Sequence, residues 1–237
     1  MSCSTDKEDL DIEEDEVIEK PENMLSATEL EFLTEYEYIT FNLAPDSFGA
    51  TVNEKWNTDI KVFLDGGISD AYRREVAATL NEFNELFDNT IEAALVSTFE
   101  ESNIHLIFGD KSAIEEIWPD MFNAIGQINF EGYALYNNNS SFNIIKGRIW
   151  VRNSSIPLFK HELGHTIGLG HASDPFCTGD FASNKSFMCS FLKEDFSTFD
   201  SAILQTLYDS KVEAGLTFSE LRPIIEELLL TDAILVE

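Results

Sequence analysis

Apolar and polar positions along the chain follow two rhythms. Residues 60–65 alternate, with Ile60, Val62 and Leu64 on one side, and stop at Gly66 and Gly67, which predicts a strand. After Ser69 or Asp70 the period lengthens. Val76, Leu80, Phe83, Leu86 and Phe87 recur at three and four, which predicts an amphipathic helix reaching about residue 87. Residues 94–99 and 104–108 read as two more strands, the second stopped by Gly109 and Asp110. A strand, helix, strand order predicts a parallel pair joined by a helical crossover. Residues 112–118 predict a short helix closed by Pro119, and 132–136 and 147–152 predict the fourth and fifth strands, separated by the polar loop 137–141. Ser154 or Ser155 caps the next helix, with Pro157 in its first turn, where proline costs little. Phe159, Leu163 and Ile167, at intervals of four, give that helix a stripe to bury under the sheet. A helix opening near residue 196 carries Ile203, Leu204, Leu207 and Tyr208, and 217–230 is amphipathic again. Upstream, Ser26 and Thr28 offer N-caps for a short helix, and 41–56 is turn-rich. The fold class is therefore α+β, a twisted, mostly parallel sheet of about five strands with helices packed on it.

Composition changes this picture at its edges. The 237 residues are 43% hydrophobic and include nineteen Phe, enough for one sizeable core. With 44 acidic and 15 basic residues the net charge is −29, which excludes nucleic acid and electrostatic docking on anionic lipid. No apolar run approaches the roughly 20 residues of a membrane span. Part of the charge sits in residues 1–20, which lack the apolar area to fold and read as a solvated tether. Residues 21–59 then form an N-terminal extension, 60–210 the central domain, and 211–237 a C-terminal helical extension with no function assigned.

The candidate chemistry lies at 161–171. His161, Glu162, His165, Gly168 and His171 are spaced H-E-x-x-H-x-x-G-x-x-H, and three of the four histidines of the chain fall inside it. On a helix, positions i and i+4 share a face, so His161 and His165 can grip one metal ion. Glu162 can reach a water beside that ion. Gly168 tolerates a positive φ, so the chain can turn and bring His171 back as third ligand. Three protein ligands leave a position open, the mark of a catalytic rather than a structural zinc site. His105, alone outside the pattern, reads as a packed or edge histidine within a strand.

The eleven-residue pattern, with Met188 seventeen residues beyond it, resembles the metzincin zinc metallopeptidases, and most loosely their matrixin-like bacterial members. The resemblance implies a zincin-type domain: a mixed five-stranded sheet with an antiparallel edge strand, a long zinc-binding helix, a Met-turn and C-terminal helices. It implies one catalytic Zn²⁺ on His161, His165 and His171, with Glu162 as general base and Met188 as an apolar floor under the imidazoles. It places the substrate as an added strand along Gly132, Tyr133, Ala134, Leu135 and Tyr136. Some members place a tyrosine two residues after the methionine; here that residue is Ser190. Many carry a pro-segment with a zinc-blocking cysteine, yet no cysteine lies between residues 4 and 160.

The expected function is thus zinc-dependent endopeptidase. A zinc-binding recognition module that does not cut, and a zinc hydrolase acting on other bonds, are the alternatives. Partners are a protein or peptide substrate and no nucleic acid, and the chain is expected to be a monomer. The opening Ser2-Cys3-Ser4 followed by acidic residues resembles a bacterial surface lipoprotein trimmed before its lipidated cysteine, with Cys3 as the anchor and its only route to a membrane; a cytosolic protein with an acidic tail is the alternative. If Cys3 is lipidated, Cys177 and Cys189 are the thiols left to pair, against two free buried thiols. Structural Ca²⁺ suits the acidity, but no D-x-D-x-D-G loop places it.

Overall fold

The element that carries the histidine pattern starts with a cap and a proline. Ser155 accepts a hydrogen bond from the Leu158 N–H (3.3 Å), Pro157 occupies the first turn, and α4 runs Ile156–Thr166. It is one of six helices and six strands in a computed structural model that describes residues 24–45, 47, 49–87, 91–126, 129–177, 184–190 and 192–236. Cys3 and the tether 1–20 lie outside the described residues.

The order is α1 (Ala27–Thr40), β1 (Lys55–Trp56), β2 (Ile60–Gly66), α2 (Asp70–Asn84), β3 (Ala93–Leu95), β4 (Ile104–Phe108), α3 (Pro119–Ile125), β5 (Gly132–Asn138), β6 (Asn143–Val151), α4, α5 (Thr198–Tyr208) and α6 (Phe218–Leu230). The strands form one sheet. β3, β2, β4 and β6 are parallel neighbours, and β1 runs parallel to the start of β6. β5 runs antiparallel along β6, from Gly132 opposite Val151 to Asn138 opposite Ile144, and pairs with no other strand among the described residues. The sheet is mostly parallel, as expected, with β5 alone reversed, but it has six strands rather than five. The additional strand is β1, two residues long and too short to show alternation.

Three other expectations are corrected. The strand at 94–99 ends at Leu95, and Phe99–Glu101 is a 3₁₀ turn. The short helix at 112–118 is a 3₁₀ turn, Lys111–Ile114, and Pro119 begins α3 rather than ending a helix. The helix expected to reach residue 87 ends at Asn84.

The alternation in the strands separates two faces. Val62, Leu64, Ile104, Leu106, Ile149 and Val151 join the main core under α2 and α4, with Phe159, Leu163 and Ile167 of the histidine helix packed into it. Phe32, Leu33, Tyr36 and Ile39 of α1, Trp56 of β1 and Leu221, Ile225 and Leu228 of α6 belong to that same core. On the other face Ile107 and Trp150 pack with Ile114, Met121 and Ile125 in a smaller cluster. Among the described residues, no helix is long and apolar enough to cross a membrane.

Candidate metal centre

α4 puts His161 and His165 one turn apart, and their Nε2 atoms lie 3.2 Å from each other. The helix ends just before Gly168, whose φ is +101° and where a Cβ would strike the Glu54 carbonyl. The turn brings His171 back, with its ring 5.3 Å from that of His161 and 4.8 Å from that of His165. One ligand atom from each of the three lies within 4.8 Å of the others, and no other group of three or more His, Cys, Asp or Glu among the described residues converges in this way.

Hydrogen bonds assign the tautomers. Nδ1 of His161 lies 3.0 Å from the Phe187 carbonyl oxygen and Nδ1 of His165 lies 2.9 Å from that of Leu169, so both Nδ1 atoms carry the proton and donate it. Both Nε2 atoms then present lone pairs to each other across 3.2 Å with no proton between them. Such a pair repels unless a cation lies between. Two nitrogens bound tetrahedrally at the usual zinc distance are about 3.3 Å apart, so the donor set fits a tetrahedral divalent metal. Burial, and secondarily the neighbouring His171 imidazole, keeps His161 neutral, its pKa pulled down to about 4 against a Phe187 carbonyl bond that raises it. Burial acts first on His165 too, which is held well below the ordinary value, with His161 and His171 adding to the effect. Neutral imidazole is the ligating form.

Glu162 is 5% exposed, and burial pushes its carboxyl up to about 8. A cation at the three imidazoles acts in the opposite direction, toward the carboxylate. Directly over Glu162 passes the first residue of β5. A Cβ at Gly132 would stand 2.6 Å from Glu162 Oε1, so only glycine lets strand and carboxylate approach this closely. Ala134 and Tyr136, next on that side of the strand, pack against the main core, whereas Tyr133 and Leu135 face the smaller one. Tyr136 donates to Glu54 Oε2 at 2.5 Å.

Met188 is fully buried beneath α4, and a Cβ at Gly164 would strike its sulfur. The eleven-residue pattern itself does not say what holds this turn in place. The buried Asp200 carboxylate accepts from the Phe187 N–H, with both oxygens at 3.2 Å, and the Phe187 carbonyl in turn accepts from His161. Its one legible trace is the capping box Ser197–Asp200 at the start of α5. Cys177 and Cys189 are disulfide-bonded, tying the segment after His171 to the residue after Met188.

His105 lies on the opposite face of the sheet, bonded to Asp65 at 3.1 Å and ringed by Phe63, Phe99 and Trp118. It lines an open cleft of about 580 Å³ with Lys146 and Arg148 and contributes nothing to the three-histidine group. Compared with protein-family models and with curated proteins, the chain shows no match.

Proposed function

We propose that the protein is a zinc-dependent endopeptidase with a metzincin-type, zincin-like domain. The observation that carries the proposal is the pair of Nε2 lone pairs facing each other at 3.2 Å beside His171, with Glu162 buried next to them. Zinc bound there supplies a water of lowered pKa and a positive charge to polarise a carbonyl. His161, His165 and His171 would hold it. Glu162 takes the proton of the attacking water and returns it to the leaving amine, and its burial keeps bulk water from competing for it. β5 offers its unpaired side to an extended peptide, an edge that any substrate backbone can extend. The disulfide Cys177–Cys189 supports an extracytoplasmic location as part of the same proposal.

The test uses the intact chain and a mixed peptide library, with and without chelator. Cleavage in zinc and none after chelation is the expected result. Glu162→Ala keeps one zinc per chain and loses turnover by about 10²–10⁴-fold or more, as for a positioned general base. His165→Ala loses both metal and activity. Wild-type cleavage by Glu162→Ala refutes the assignment of the base; no cleavage of any peptide by the zinc-loaded wild type refutes the peptidase.

A further inference from the structure

We infer that α1 belongs to the metal centre, with Glu35 and the Ile39 carbonyl positioning the third ligand, His171. The inference rests on the zinc reading above and deepens it. His161 and His165 are set by one helix. His171 instead sits on a stretch, residues 169–173, that is neither helix nor strand, so its place depends on what holds that stretch.

Four backbone amides of the stretch are hydrogen-bonded. The Leu169 N–H donates to the Gly164 carbonyl of α4 at 3.1 Å, the Gly170 N–H to the Ile39 carbonyl at 2.7 Å, the Ala172 N–H to the Met188 carbonyl at 3.2 Å, and the Ser173 N–H to Glu35 Oε1 at 2.8 Å. Two of the four, one on each side of His171, therefore end on α1. The Ser173 hydroxyl donates to the second Glu35 oxygen at 2.5 Å, so both carboxylate oxygens are committed to one residue, two positions beyond the histidine. The chain passes so close to the end of α1 that a Cβ at Gly170 would lie 2.5 Å from Asn42 Oδ1 and 2.8 Å from Asn42 Cα. Glu35 is 3% exposed, between Phe32, Tyr36 and Ile39 in the core. Burying a carboxyl is costly unless its oxygens are hydrogen-bonded, and here the bonds that offset the cost are those that hold the ligand loop.

Glu35 touches neither metal nor substrate and is a positioning residue. The consequence concerns residues 21–59. A segment that holds the third ligand cannot be an inhibitory pro-segment cut away to release activity, since its removal takes the support of His171 with it.

The experiment measures zinc affinity of the full chain by competition with a chromophoric chelator, for wild type, Glu35→Ala, Glu35→Gln, Ser173→Ala and, as a stability control, Leu228→Ala in α6. Partners that orient a metal ligand are worth about 10–100-fold in metal affinity, and Glu35→Ala is expected to lose that much. Glu35→Gln keeps an acceptor oxygen for the Ser173 N–H and recovers most of the loss; Ser173→Ala, which removes only the hydroxyl bond, falls between. Leu228→Ala lowers the thermal midpoint without weakening zinc. A merely structural role predicts that affinity follows the midpoint across all five proteins, and that outcome overturns the inference. If Glu35→Ala does not fold, Glu35→Gln and Ser173→Ala carry the test, and wild-type affinity in Ser173→Ala overturns the proposal. A wild type that binds no zinc overturns both readings, whereas a zinc-binding wild type with an unaffected Glu35→Ala overturns this one alone.

Discussion

Gly132→Ala tests the β5 edge and the proposed base, Glu162, together. The added methyl would lie 2.6 Å from Glu162 Oε1 and 2.9 Å from both Glu162 Cγ and Leu158 Cδ1, where ordinary contact begins at 3.4 Å. Something must yield by about 0.8 Å. β5 resists, because Gly132 and Tyr133 are paired with Val151 and Trp150 of β6, so the Glu162 side chain gives way. A misplacement of order 1 Å at a reacting group costs about 10²-fold in rate, or roughly 2.7 kcal/mol of transition-state stabilisation. On the proposed zinc reading the metal content is expected to stay at one per chain, since the atoms the methyl meets first belong to Glu162 and Leu158 and not to the imidazoles. Overpacking lowers stability by about 1–3 kcal/mol. The assay is kcat/KM on a peptide that the wild type cuts, with elemental analysis of the same samples and a urea titration. Because the methyl acts through Glu162, Gly132→Ala should add little in a Glu162→Ala background, the non-additivity expected of groups that act as a unit. Wild-type kcat/KM in Gly132→Ala, or full additivity of the two losses, refutes the reasoning.

Gly164→Ala pushes on the Met188 sulfur and on Phe187 Cε2 at 2.8 Å, and so on the carbonyl that orients His161; it should lose about 1–3 kcal/mol of stability and bind zinc more weakly, read by thermal melts and chelator competition. Replacing Cys177 and Cys189 by Ser opens a loop with a sequence separation of 12 and should cost roughly 3 kcal/mol in a urea titration, and the folded, unreduced wild type should show no alkylatable thiol other than Cys3. The Arg148 guanidinium grips Asp120 at 2.9 and 2.7 Å and holds its carboxyl down from 3.8 to about 2. Its contribution is therefore complete above pH 3.8 and lost as the pH falls toward 2. It is small because Asp120 is exposed, and Arg148→Ala should return the carboxyl midpoint, followed by NMR, toward 3.8.

Legibility in the sequence tracked distance along the chain. β2 is readable because its alternation ends at a glycine, β4 because a short apolar run does, and α4 because cap, proline and stripe fall within a dozen residues. Pro119 is ambiguous in the sequence because a missing N–H serves equally to close one element and to open the next; here it occupies the first turn of α3. Phe99 looked like part of a strand because it is apolar, but it leaves the sheet and turns its ring against His105, 4.8 Å between centroids. The candidate metal centre divides along the same line. The i, i+4 spacing placed His161 and His165, and one glycine announced the turn to His171. Their orientation depends on groups whose partners are remote: Asp200 is thirteen residues from Phe187, and Glu35 is 138 residues from Ser173. No periodicity links such pairs. Each leaves only a polar residue on an otherwise apolar helix stripe. Glu35 falls between Phe32 and Tyr36, and Asp200 follows Phe199, where a solvent-facing acid and a buried hydrogen-bond acceptor are written with the same letter. Burial separates the two, and burial is a property of the assembled chain. A candidate ligand motif can thus be recognised from eleven residues, whereas the hydrogen bonds around it reach from residue 35 to residue 200.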